Sequence, residues 1–205
     1  MAPHRLPRCR LVADGAIPII DPYPVPRVEL NGDRREAQIG MRRMEARTTE
    51  ALLARVDAAW QPFRRGVAAL GPDQLVLRTD AGWSVKEMLA HVAFWEETVL
   101  NLLPPLLGRQ APDLADWYGG EGLDLSGDWA HYDVHNEREA TWANGHTIER
   151  VLSRLDTSHA RLTSLLATLT DEQVASQDIW EKVACETFEH YADHMAELEQ
   201  RSAPV

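Results

Sequence analysis

From Met44 onward, apolar positions recur every three or four residues over most of the chain. Leu52, Val56, Trp60, Phe63, Val67 and Leu70 make one stripe, which predicts a first helix over about 48–70. Pro62 predicts a kink in it, and Gly71-Pro72 a stop. A second helix opens on an S-x-x-E capping box, Ser84 and Glu87, with Gly82 freeing the approach and Trp83 placed to pack on Met88. It is predicted to end by Leu103, ahead of Pro104-Pro105. The run Ile148, Val151, Leu152, Leu155, His159, Leu162, Leu165, Leu166 and Leu169 belongs to a third helix. That helix is predicted from near Trp129 or Asp133 to Leu169, with a break near Asn144-Gly145. After a turn at "TDEQ", a fourth is predicted from an Asp178/Glu181 capping box to about Gln200. No stretch alternates as a strand does. The expected fold is all-α, a four-helix bundle.

Two segments stand outside this pattern. Residues 1–43 have proline every few positions and no period, so they read as a disordered arm preceding a bundle domain over 44–205. The arm carries about +3 of formal charge and the remainder −14. The second segment runs from Pro104 to about Asp128, with five glycines and the pair Trp117-Tyr118. A connection this long between helices 2 and 3 reads as a lid-like loop.

The formal net charge of −11 argues against nucleic acid and anionic membrane surfaces as partners. No apolar run reaches the 18 to 20 or so residues of a membrane span, and no signal-type apolar core is visible. A cytoplasmic location is expected, and a homodimer through an apolar helix face stays open. Two cysteines, Cys9 and Cys185, make no disulfide framework, and Cys185 reads as a small buried helix residue. Nucleotide, phosphate-loop and serine-elbow motifs are missing.

Histidines are the main candidates for chemistry. His190 and His194, in "HYADHMAEL", stand at i and i+4 on one face of the last helix, the spacing that offers two imidazoles to one metal. His91 interrupts the apolar run of "WSVKEMLAHVAFW" and shares its face with Met88, Trp95 and Leu102. The residues alone leave two readings open, metal ligands or buried neutral imidazoles. His131 and His135 repeat the spacing near the loop and read as pocket rim, and His146 and His159 as structural or solvated.

The two quoted motifs together resemble the DinB-like superfamily of four-helix bundles. That resemblance implies a three-His divalent metal site, zinc or nickel, with His91, His190 and His194 as ligands. It implies a metal-dependent group that includes thiol S-transferases and proteins known only as metal-binding. "WSVKEMLAHVAFW" and "HN" at 135–136 are also similar to a ClbS/DfsB-like branch that detoxifies reactive metabolites, a stress-response role. Three imidazoles leave a divalent ion its full charge and an open position, where water becomes acidic and a thiol is held as thiolate. The expected function is therefore a metal-dependent thiol S-transferase or hydrolase acting on a small electrophilic substrate, with a low-molecular-weight thiol as a candidate cofactor. The alternative is a non-catalytic bundle that binds a small ligand or a protein. Glu197 lies nearest in phase to His194 and is the candidate for supporting a ligand. Glu186, Glu189, Asp193, Glu96 and Glu97 read mainly as solvated charges. The pocket candidates are Trp95, Trp117, Tyr118 and Trp142, with Trp60 behind them.

Overall fold

The computed structural model describes residues 47–78, 82–110 and 132–202. The proline-rich arm, the loop with Trp117 and Tyr118, and His131 lie outside them. The described helices are α1 (Thr49–Ala68), α2 (Pro72–Val76), α3 (Val85–Leu106), α4 (Tyr132–Gly145), α5 (Ile148–Leu166), α6 (Asp171–Ala175), α7 (Gln177–Glu186) and α8 (Phe188–Ser202). No strand occurs among the described residues, and none of these helices is long and apolar enough to cross a membrane.

α1, α3, α5 and the α7–α8 limb form the four-helix bundle. The predicted stripe of α1 is buried at Leu52, Val56, Trp60, Phe63 and Val67, and the helix passes through Pro62 as one element. Thr48 caps it by accepting from the Ala51 N–H at 3.1 Å. α1 and α5 run antiparallel, pinned by an Arg64–Asp156 pair at 2.8 Å near one end and by Thr49 Oγ1 donating to the Leu169 carbonyl at the other.

α3 is the central element. Ser84 and Glu87 form the predicted capping box, and Gly82 reaches it with φ 141°, a conformation that favours glycine. Three boundaries differ from the sequence expectation. First, α3 does not stop at Leu103; both prolines lie within its last turn. It ends instead at Gly108 (φ 67°), where the Gly108 and Arg109 N–H groups bond the Pro105 and Pro104 carbonyls as a Schellman motif. Second, the break expected near Asn144-Gly145 is present, but it separates two helices that run in opposite directions. α4 runs antiparallel to α3, with Asn144 donating to Glu87 near the start of α3. The chain then reverses, because α5 ends beside the end of α3, where Arg109 bonds Thr168, and Arg154 meets Glu139 across the turn. Thr147 caps α5. Third, "TDEQ" opens the short helix α6 under a Thr170/Gln173 capping box, and the last limb starts after Ser176, not at Asp178.

That limb is broken once, at Thr187 (φ −129°, ψ −99°), between α7 and α8. Thr187 Oγ1 bonds back to the Val183 carbonyl at 2.5 Å, which holds the two pieces together. Cys185 is buried on α7 as expected.

Glu87 ties α3 to its surroundings. It is fully buried and accepts from Ser84 N–H and Oγ, from Asn144 and from the guanidinium of Arg78. Burial alone would raise its pKa, but Arg78, Ser84 and Asn144 outweigh this and hold it at about 2. Its folded value lies below its unfolded value of 4.5. Its stabilising contribution is therefore complete above about pH 5 and is lost as the pH falls toward 2. Glu87→Gln is expected to cost about 1–3 kcal/mol at pH 7 and to lose less of its remaining stability on acidification. Urea titrations of both proteins at pH 7 and pH 3 check this, and parallel losses would contradict it.

Candidate metal centre

His91 projects from the second turn of α3, and His190 and His194 from successive turns of α8. All three are buried, with exposures of 0, 3 and 4 %. Their Nε2 atoms converge: those of His91 and His190 are 2.8 Å apart, and those of His190 and His194 are 3.1 Å apart. Their ligand atoms all lie within 4.8 Å of one another.

Neighbouring side chains orient these rings. The Asn136 Oδ1 on α4 stands 2.9 Å from His91 Nδ1 and 3.3 Å from Trp95 Nε1. Trp95 Nε1 also stands 3.1 Å from His91 Nδ1, so Asn136 and Trp95 together hold the outer edge of the ring and leave Nε2 turned into the cluster. Trp83 does more than precede the cap, since its ring lies 5.1 Å from that of His91. Glu197 Oε1 is 3.5 Å from His194 Nδ1. Burial pushes the His190 pKa well below 6.5, reinforced by His194 and His91 and opposed by the Glu186 backbone, so its imidazole is neutral.

The donor set fits a divalent ion. His190 Nε2 faces two other Nε2 atoms, and one proton there could serve only one of them. A cation among the three lone pairs satisfies all of them. The observed separations also approach the roughly 3.3 Å expected between nitrogens bound at about 2.0–2.1 Å to a tetrahedral zinc.

Of the pocket candidates, Trp95 is buried at the centre. Trp142 lies 4.3 Å from the His146 ring, stacked on it, and beneath the Arg154 guanidinium at 4.5 Å. Trp60 is stacked on His159 at 3.7 Å in the core. His135 is not a rim residue: it is fully buried, 5.5 Å from the Phe94 ring. Asn136 was visible beforehand only as half of the "HN" pair.

The acidic residues give the largest correction. Glu96, Glu97 and Glu186 are buried, not solvated. Because α3 is covered on every side, its charges have no solvent face to occupy. Glu96 accepts from Ser158, Tyr191 and His159, the last at 3.1 Å. Burial still raises its pKa against those bonds. Glu97 takes a bidentate pair from Arg154 at 2.9 and 2.7 Å, and Glu139 takes the third guanidinium contact at 2.6 Å. Lys182 donates to Glu186 at 2.8 Å.

Two carboxylates on one guanidinium leave that cluster with an excess negative charge. Burial raises Glu139 to about 7, with Arg154 opposing and Glu97 adding to the rise. Its folded value is above its unfolded 4.5, so its contribution is complete below about pH 4.5 and is lost as the pH rises through 7. Glu139→Gln is expected to remove that part of the decline in melting temperature between pH 5 and pH 8. An identical decline in both proteins would contradict the assignment.

A family model described as the DinB superfamily matches residues 55–201. Among solved structures, the chain is similar to the colibactin self-resistance protein ClbS in complex with a dsDNA. The TM-score is 0.62 at 12 % identity, over 79 % of this chain and 99 % of that one. It is also similar to an uncharacterised protein from Escherichia coli UTI89, with a TM-score of 0.59 at 13 % identity, over 75 % and 92 % of the two chains. No functionally curated protein matches by sequence. The ClbS complex overturns the exclusion of nucleic acid drawn from the acid excess. Net charge describes a whole chain, whereas contact with a duplex depends on the charges of one face.

Proposed function

The chain belongs to the DinB superfamily, whose members commonly bind metal, and we propose that it is a divalent-metal-dependent enzyme acting on a small electrophilic molecule. The reaction is thiol S-transfer or hydrolysis, in a detoxifying role. The observation that carries this reading is the convergence of three buried imidazole Nε2 atoms from two helices.

In this reading His91, His190 and His194 hold the ion. Imidazole donors suit zinc and nickel alike. The ion supplies Lewis acidity, which makes a water or a low-molecular-weight thiol acidic enough to act as a nucleophile near neutral pH. Asn136 and Trp95 meet His91 at Nδ1, the nitrogen away from the cluster, and hold the ring with Nε2 facing the ion. Glu197 stands beside the outer nitrogen of His194 and stabilises the orientation of that ring. Trp95 and Trp142, with Trp117 and Tyr118 of the long loop, are the proposed pocket residues. The cytoplasm is the proposed compartment.

Elemental analysis of protein purified without a polyhistidine tag tests this directly. About one zinc or nickel ion per chain is expected in the wild type and none in His190→Ala, with Asn136→Ala weakening affinity roughly 10- to 100-fold. Wild type that takes up neither metal on reconstitution would sink the proposal. Duplex binding, the property in the ClbS structure's name, is measured on the same preparations with and without metal.

A further inference from the structure

One charged pair beside the centre has no evident structural purpose. Lys182 and Glu186 lie on α7, and their side chains keep only 2 and 10 % of their surface. The pair lies at the end of α7, just before the Thr187 break that leads into the helix with the two histidines. The Lys182 Nζ lies 6.0 Å from the centroid of the Trp95 ring. The Nε1 of that same indole is 3.1 Å from His91 Nδ1. One indole therefore neighbours both the ammonium and a histidine of the cluster.

A buried ion pair is poor value as a purely structural device, because apolar residues of similar volume are often as stabilising or more so. This pair is also incompletely satisfied. An ammonium has three N–H donors, and among the described residues Glu186 Oε1 is the one hydrogen-bond acceptor for Lys182. Two donors remain for something else, at the edge of the centre.

We propose that Lys182, held in place by Glu186 and laid over Trp95, anchors a carboxylate of the small molecule handled at the three-histidine centre. The substrate class is thus an anionic one, with its reacting end at the histidines and its carboxylate about one indole width away. Lys182 is a positioning residue in this scheme, and Glu186 fixes its ammonium. The proposal rests on the metal reading above.

The probes are 3-mercaptopropionate and its neutral amide, titrated calorimetrically into zinc-loaded protein whose zinc content has been measured. Both offer the same thiol, so their difference reports the carboxylate alone. Wild type is expected to prefer the acid by roughly 10- to 100-fold, the size of a charge-assisted contact. Lys182→Met combined with Glu186→Gln, which avoids an orphaned buried carboxylate, is expected to abolish the preference with zinc content unchanged. Glu186→Gln alone, which keeps an oxygen to hold the ammonium but removes the competing carboxylate charge, is expected to increase the preference, and an unchanged preference overturns the proposal where the double variant does not fold. Zinc bound with no preference in wild type, or an undiminished preference in the double variant, overturns this proposal and leaves the metal reading standing. No zinc overturns both.

Discussion

The constraint on which the rest of the structure depends is the complete burial of α3. From Val85 to Leu100 nearly every side chain of this helix is covered, and Glu87, His91, Glu96 and Glu97 are covered with the others. Each polar group removed from water needs a partner, and each finds one outside α3. Glu87 is met by Arg78 and Asn144, His91 by Asn136 and His190, Glu96 by Ser158, His159 and Tyr191, and Glu97 by Arg154. The apolar packing is permissive about how helices slide and rotate. These directional contacts are not, and they assign α4, α5 and α8 their places around α3.

How much of this was legible in the sequence follows from the range of the signals. The capping box at Ser84 and Glu87, the stripe of α1 and the i, i+4 pair on α8 are local patterns, and each reappears in the structure. The convergence of His91 with that pair is not local. It became readable only because the motifs around the three residues resemble a family, not because their spacing requires a meeting. The break at Asn144-Gly145 was visible, but a break does not say whether a helix resumes in line or turns back. Here the Arg154–Glu139 pair across the turn marks a reversal. The prolines at 104 and 105 misplaced the end of α3, since the stop comes from Gly108 and the two carbonyls that its turn satisfies.

The burial of the acids was illegible for a physical reason. A Glu on a helix reads as a solvent-facing charge because unpaired burial is so costly. The compensating partner sits far along the chain, 57 positions away for Glu97 and 95 for Glu96 with Tyr191. A pattern read over one or two turns cannot detect such a pairing. The same holds for Glu139, whose rise to about 7 comes from burial beside a guanidinium shared with Glu97.

Neighbouring positions on the two central helices serve different networks, and this explains how the histidines are kept in register. On α3, Trp95 faces the centre while Glu96 points to the other side; on α8, His190 faces the centre while Tyr191 points away. Successive residues of a helix differ by about 100° in direction, so fixing one fixes the next. The Tyr191 hydroxyl bonds Glu96, and its ring packs on Phe63 and Trp60 of α1 at 5.6 and 5.4 Å. A slide of α8 by one residue would break that bond and turn His190 out of reach of His91. The buried tyrosine–carboxylate contact is therefore what holds the two helices at the separation and rotation that three converging imidazoles require, while making no contact with the centre's ligand atoms itself.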